Sequence, residues 1–443
     1  MSIPVSDILD ISISIADRSV SQPSFDTVMI VTSDQSIAPD RVREYSASTW
    51  SAAMLADGFT SDSAAYRAAA AGMSQEVHVS KFKVGRRANH ATQSFALTPT
   101  SSVDGVVYTV NVGSESFSYT VDSDTIAQIC AALTTGINAF TAAVTAADGT
   151  TLVNLDADVA GSELEFSFEG PFTVDDNTTG ADITADLNAI LADDPDFYGF
   201  VLSSCVPDEV EDAAAWAESN ARRFNCLNQE SAPLAGTGLY QDMKDDGLTY
   251  TFPIHNPEPG DFHDFAALCK EFRFLPGTNT LRWMSLSNVS VSDYSASQQS
   301  ALTADNVAFF EDLGGINVLS NGRSPSGRFM DITRFRDWLK AECQTAVANL
   351  IINAVNTTGK VPGTDAGIAM VQSTLMGVLA KAASRGAVVG PTGPKLLQYS
   401  VTFPTNAEIS LADKADRILP DGQLACTYTN GIETVQMSGV ISI

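Results

Sequence analysis

No lysine or arginine occurs between Arg87 and Arg222. Twenty-two Asp and Glu residues fall in that gap, and they supply most of a formal net charge of −28. Phosphate contacts need clustered Lys and Arg, so direct nucleic-acid binding is excluded as an expectation. Cysteine is sparse as well: six residues, at 130, 205, 226, 269, 343 and 426, with no Cys-x-x-Cys pair. That spacing offers no disulfide framework, and the thiols are expected to be buried and free. No run of about 18 apolar residues is evident, so no membrane span or direct membrane insertion is expected. The opening Met1-Ser-Ile-Pro-Val-Ser-Asp7 lacks a basic stretch followed by an apolar one. It does not read as a secretory signal, and the expected compartment is a cytoplasm.

Motifs of chemistry are equally scarce. There are four histidines, at 78, 90, 255 and 263. The segment His255-Asn-Pro-Glu-Pro-Gly-Asp-Phe-His263-Asp264 has the residue types of a metal site. Its two prolines and glycine deny it a helical register, and it lacks His-Glu-x-x-His spacing. A polar surface loop is the expectation there. Gly236-Thr-Gly238 has no third glycine at dinucleotide spacing, and Gly390-Pro-Thr-Gly-Pro-Lys395 carries prolines where a phosphate loop needs Gly-Lys-Ser/Thr. No Gly-x-Ser-x-Gly elbow occurs. Asp193-Asp194-Pro195-Asp196 lacks the spacing of an EF-hand loop. No metal, no cofactor and no catalytic residue is expected.

A chain of 443 residues suffices for about three domains. Leu9, Ile11, Ile13 and Ile15 alternate with polar residues and predict a half-buried strand. Thr27–Val31 predicts a buried strand, residues 48–56 and 61–74 two short helices with Gly58 ending the first, and Val77–Val84 another strand. From 88 to 180 the chain turns rich in Thr, Ser, Val, Asp and Gly. A hairpin is predicted at Val106–Val112 and Ser116–Val121, a helix at Asp122–Ala139, and a strand pair at Leu152–Leu155 and Leu164–Phe168. Helix–strand alternation resumes at Ile183–Leu191 and Phe197–Ser203. One helical stripe runs Val210, Ala214, Ala217, Ala221, Phe224, and another runs Phe262, Phe265, Cys269, Phe272. Two further helices carry Phe335, Trp338, Leu339, Ala346, Leu350, Ile351, and Ile368, Val371, Leu375, Val378, Leu379, Ala382. Asp365 is the expected N-cap of the second, and Gly386 its terminator.

Both ends of the chain are alternating, and Val435–Ile443 carries no charge. Such segments must pair with something, because nothing blunts them as free edges. Strand addition to a neighbouring subunit is one solution, and pairing within the same subunit is the other. Charge is segregated too: from Arg323 onward eleven basic residues face nine acidic ones. The acidic half is therefore the expected solvated exterior.

Several segments, in order, resemble the tail sheath proteins of contractile-tailed phages. They are Ile3-Pro-Val-Ser-Asp-Ile-Leu-Asp-Ile-Ser-Ile-Ser-Ile15; Asp196-Phe-Tyr-Gly199 ahead of the helix with Trp216; Gly327-Arg-Phe-Met-Asp331; Asp337-Trp-Leu339; Lys360-Val-Pro-Gly-Thr-Asp-Ala-Gly-Ile368; Arg417; and Asn430-Gly-Ile-Glu-Thr-Val-Gln-Met-Ser-Gly-Val440. The resemblance implies an α+β and α/β multidomain protein. Its parts would be an N-terminal linker arm (1–20), a middle α/β domain (21–87 and 181–320), an inserted β-rich outer module (88–180), a C-terminal sheath core domain (321–430) and a C-terminal linker arm (431–443). The C-terminal domain would hold a mixed sheet completed by neighbours' terminal strands.

The implied function is structural. Stacked six-fold rings would surround a tail tube in the virion and contract to drive the tube through the host envelope for genome ejection. Assembly would take place in the host cytoplasm. The implied partners are further copies of the chain, the tail tube protein, and the baseplate and tail terminator proteins. Strand-arm residues would be Leu9, Ile11, Ile13, Ile15, Val435, Met437 and Ile441. Lys381 and Arg385 are expected either to touch the tube or to complement their helix C-terminus. A sheath from a non-phage injection particle is the nearest rival, and an acidic soluble hydrolase is the rival from another class.

Overall fold

The computed structural model describes residues 24–88, 93–142, 144–158, 164, 166–177, 183–258, 260–357, 359–390 and 399–433. They form two units. One holds residues 24–273 and 281–330; the other holds 274–280 and, among the described residues, 331–433. The alternating ends, 1–20 and 434–443, lie outside the described residues. The whole is a mixed α/β structure with several sheets.

The first unit begins with β1 (Val28–Thr32), β2 (Val42–Ser46), α1 (Trp50–Asp57), α2 (Ala64–Met73) and β3 (Lys81–Arg86). Val28 and Ile30 point into one core, with Phe82, Val84 and Phe265. Met29 and Val31 point into the other, with Leu187, Phe200 and Trp216. A strand covered on both faces has no polar side to show, which is why it reads as a continuous apolar run. Gly58 closes α1 at φ +107, as expected. The strand expected over Val77–Val84 begins instead at Lys81.

Residues 93–177 form a β-rich module with a core of its own. Its elements are β4 (Ser94–Pro99), β5 (Val107–Val112), β6 (Glu115–Thr120), α3 (Ile126–Ile137), β7 (Val144–Asp148), β8 (Val153–Ala157), β9 (Phe166–Glu169) and β10 (Phe172–Asp176). The β5–β6 hairpin turns where the alternation placed it. The expected pairing of the next two strands is corrected. β8 sits between β4 and β7 in one sheet, while β9 pairs with β5 in the other. α3 starts with a capping box, Thr125 and Gln128 bonding each other's backbone.

The chain returns through α4 (Ile183–Asp193), β11 (Gly199–Leu202), α5 (Pro207–Asn220), β12 (Arg223–Asn228), α6 (Leu239–Asp245), β13 (Thr251–His255), α7 (His263–Arg273), α8 (Ala296–Ala304) and the hairpin β14 (Phe310–Asp312)–β15 (Asn317–Leu319). The main sheet has order β13-β12-β11-β1-β3-β2, parallel except for β2 at its edge. The stripe expected to carry one helix through Ala221 and Phe224 stops earlier. α5 ends at Asn220, Ala221 takes φ +51, and Phe224 is a residue of β12. The slot between β11 and β13 needs a fully buried strand, and tertiary demand overrides the helical period. α2 packs against α7 closely enough that a Cβ on Gly72 would lie 2.5 Å from the Phe265 ring.

A buried ion cluster stands where the chain leaves β3 for the module and re-enters at α4. The Arg87 guanidinium donates to both Glu209 oxygens at 2.6 and 2.7 Å, and Asp186 accepts from the Ala88 amide at 2.8 Å. Arg87, Asp186 and Glu209 are all 3% exposed or less.

The second unit holds α9 (Met330–Thr357), α10 (Asp365–Ser384), β16 (Tyr399–Thr402), α11 (Leu411–Asp416) and β17 (Gln423–Cys426). Thr364, rather than Asp365, is the N-cap of α10; the Asp365 carboxylate accepts instead from the Asn406 amide at 2.7 Å. Gly386 follows the helix at φ +83. Against the expectation of no long apolar run, α10 reaches a mean hydropathy of 1.3 over 18 residues, enough by length and composition to cross a membrane. Seven Ile, Leu, Val and Met residues and five Ala raise the average, while Gln372, Ser373 and Thr374 interrupt any continuous apolar run.

Two outcomes are expected. Glu209→Ala leaves the buried Arg87 with only the longer Asp186 contact and should destabilise the first unit by up to roughly 3–5 kcal/mol, read as a lower urea midpoint. Burial pushes the Asp264 carboxyl up to about 7. The native state then holds a proton that the unfolded chain has lost, so the unit's stability should fall as pH rises from roughly 4 to 7 and level off above. Asp264→Asn should flatten that slope in urea titrations across the window; an unchanged slope assigns it to other groups.

Candidate functional site

The residues singled out for chemistry are built into the frame. His255 and His263 do not lie on a polar surface loop; they are 1% and 0% exposed. One His255 ring nitrogen meets the Tyr294 hydroxyl at 2.6 Å and the other the Glu230 carbonyl at 2.7 Å. The His263 ring nitrogens meet the carbonyls of Asp261 at 3.1 Å and Ser290 at 2.8 Å. Burial holds His255 down to about 4, in the neutral form. Two interior imidazoles thus tie the 256–262 loop to neighbouring backbone. Among the described residues no group of three or more His, Cys, Asp or Glu is placed to hold a metal. Asp194 and the Asp196 carbonyl accept from the Lys83 ammonium at 2.7 and 2.8 Å, so that acidic run anchors β3. None of the six cysteines is in a disulfide, and burial pushes the thiols of Cys130 and Cys343 up, to about 11 and about 12. Such thiols stay protonated and unreactive.

The surface best suited to assembly lies in the second unit. β16 and β17 pair antiparallel from Tyr399↔Cys426 to Thr402↔Gln423, with no third strand among the described residues. Val388 and Tyr428 continue the ladder by one bridge, closed by Val389 N–H to Thr427 O at 2.9 Å and Thr429 N–H to Ala387 O at 3.0 Å. On β16, Tyr399 and Val401 are buried, Ser400 and Thr402 are exposed, and Gln372 of α10 donates to the Val401 carbonyl at 2.8 Å. α10 turns Ile368, Val371, Leu375, Val378, Leu379 and Ala382 inward. β17 is more open: Gln423 and Ala425 are exposed, Leu424 and Cys426 half-buried. From Gly422 to Ile432 the chain carries no charge and no proline. Charge and proline, two of the devices that stop an edge from recruiting another strand, are absent from that segment. A two-stranded sheet is marginal by itself and gains stability from a third strand.

Lys381 and Arg385 both lie at the C-terminal end of α10, and both flank one indole. The Lys381 ammonium is 5.8 Å from the Trp338 ring centre and the Arg385 guanidinium 5.5 Å. Lys381 also bonds Glu342 at 2.6 Å. Trp338 and Glu342 escaped notice as a pair, although their i, i+4 spacing on α9 places them on one face. The strand-arm residues Leu9, Ile11, Ile13, Ile15, Val435, Met437 and Ile441 lie outside the described residues.

Residues 330–394, which span α9, α10 and the chain just beyond, match the family model for the E217 tail sheath protein gp31-like C-terminal domain. The resemblance to contractile tail sheath proteins is thereby found again, independently, in this segment. Among solved structures the chain is similar to a sheath tail protein from Listeria innocua, at 11% identity over 85% of this chain and 88% of that one, TM-score 0.46. It is similar to a sheath tail protein from Desulfitobacterium hafniense at 11% identity over 88% and 93%, TM-score 0.45. A chain of the anti-feeding prophage baseplate matches at 11% identity over 58% and 72%, TM-score 0.43. No curated protein matches the sequence.

Proposed function

We propose that this chain is the sheath subunit of a phage-type contractile tail, a structural protein rather than an enzyme. Copies polymerise as stacked hexameric rings around a tail tube, and the array contracts to drive the tube through a host envelope. The observation that carries this reading is the uncharged β17, paired on one side only among the described residues, beside the segment that matches a tail sheath domain. Both termini of the same chain alternate apolar and polar residues in sequence, and the last nine residues carry no charge. Edge and arms are complementary in kind. Leu9, Ile11, Ile13 and Ile15 of one copy, and Val435, Met437 and Ile441 of another, add as strands to the β16–β17 sheet of a neighbour. At 0.5–1.5 kcal/mol net per backbone bond, an arm of four bonds contributes roughly 2–6 kcal/mol. That is weak for one contact and large when repeated through a polymer.

In this scheme residues 1–20 and 431–443 are linkers, and 321–430 form the core of the array next to the tube. Residues 21–87 with 181–320 form the middle layer, and 88–180 face outward. The acid-only module supports the last assignment, since between Arg87 and Arg222 it has no cation to offer a neighbour. Baseplate and tail terminator proteins close the two ends. The particle assembles in the host cytoplasm and becomes part of the virion.

Deleting 5–16 or 432–443 should leave a folded, soluble subunit that no longer forms tubes or discs by negative-stain microscopy. Ala425→Lys, which places a charge on the open edge, should do the same, and sheaths formed by truncated protein would overturn the arm assignment. Replacing Lys381 and Arg385 together by glutamate should weaken co-assembly with the tube protein while self-association of the subunit persists. Unchanged co-sedimentation with tubes would remove both residues from that contact.

A further inference from the structure

A cavity of about 50 Å³ opens in the first unit at the carboxyl ends of the parallel strands. Ser203 beyond β11, and Leu227 and Gln229 at the end of β12, form its floor. Gln93, Phe95, Leu164 and Phe166 of the inserted module form one wall, and Arg67 of α2 with Gly260 and Phe262 forms another. In open α/β sheets this end of the strands is where ligands sit, in the crevice that the loops leave.

Arg67 is half-buried, and its guanidinium makes no ion pair among the described residues. In a chain with 53 acids and 25 bases, a half-buried cation that makes no ion pair, with Asp62 only at the mouth of the same cavity, is unexpected. Its position is built. Gly260 has φ +69, and a Cβ there would collide with the guanidinium carbon and both terminal nitrogens alike. The guanidinium packs closely against the glycine, and its N–H groups can serve another acceptor. The polar side chains around it are interior ones: Gln93, Ser203 and Gln229 are 9%, 7% and 5% exposed. The Gln93 amide oxygen accepts from the Leu164 amide, which fixes that side chain across the cavity. The Phe95 and Phe166 rings pack tilted, 4.7 Å apart, and make one side apolar, so a charge contact inside is screened less than at the surface.

We propose that this cavity binds a small oxyanion, a phosphate or a carboxylate, through the Arg67 guanidinium. A cavity of about 50 Å³ has room for a few water-sized groups, the scale of the oxygens of a small oxyanion. A guanidinium fork matches two oxygens of a carboxylate or phosphate, which a lone water would not require. Asp62, exposed at the mouth, opposes an anion and sets the affinity low. The site is independent of strand exchange, so its failure leaves the sheath assignment untouched, and the reverse holds as well.

The test is calorimetric titration of the full-length subunit with inorganic phosphate and, separately, with acetate, at constant ionic strength against chloride. Saturable binding of either anion is expected, and the anion that binds identifies the class. Arg67→Gln and Gly260→Ala should each weaken binding by about tenfold or more, and Asp62→Asn should tighten it. If Gly260→Ala fails to fold, Arg67→Gln alone decides. No saturation by either anion at about 50 mM, or equal binding by wild type and Arg67→Gln, overturns the proposal.

Discussion

The hydrogen bonds that β1 makes on both of its edges, to β3 and to β11, organise the first unit. A parallel strand paired on both sides must be roofed by helices on both faces, because its crossovers lie there. Val28 and Ile30 accordingly serve one core, Met29 and Val31 the other. The sheet grows outward from β1 in two directions, to β2 on one side and β13 on the other. A crevice is left at the carboxyl ends, where His255 closes β13 and the loops that leave the other strands carry Arg87, Ser203 and Gln229.

An insertion of more than eighty residues between β3 and β11 is tolerable because its entrance and exit are clamped. Arg87, at the exit of β3, is held by Glu209 of α5 and reinforced by Asp186 of α4. Removing such charges from water is expensive, and the cluster holds because the guanidinium fork meets two carboxylates at once. The module adds a second attachment, with Asp175 accepting from both the amide and the hydroxyl of Ser231. Its own core, built on α3 and two sheets, keeps it a separate body of packing. The acid excess of that module can therefore stay on its surface without disturbing the parallel sheet.

The second unit follows a different economy. Two long helices carry most of its apolar side chains, and its sheet has two strands among the described residues. The Trp338 indole, with Phe335 beside it and Lys381 and Arg385 over it, joins the end of α10 to α9. β16 is engaged by Gln372, while β17 keeps an exposed side. Among the described residues that sheet is short and its β17 strand uncharged, the kind of edge to which a further strand adds readily.

Local periodicity was enough to place β1, α1, α2, the β5–β6 hairpin, α3, α7, α9 and α10, since each depends on neighbours a few residues away in the chain. The acid-only stretch, the scarcity of chemical motifs and the resemblance to tail sheaths were legible for the same reason. Pairing was not. β8 and β9 have similar patterns, yet β4 takes one and β5 the other, because register is decided between segments far apart in sequence. Phe224 continued a helical stripe until the gap between β11 and β13 claimed it. His255 and His263 looked like a surface loop because Pro, Glu, Gly and Asp surround them, and only the packing of Tyr294 and the 286–292 segment buried them. Arg67 and Gly260 lie 193 positions apart, and nothing local relates them. Sequence determined which segments are helices, which half is acidic and which family the C-terminal part resembles. Tertiary structure decided which strand meets which, which polar groups go inside and which edge is left open, because those are contacts between segments that no local pattern encodes.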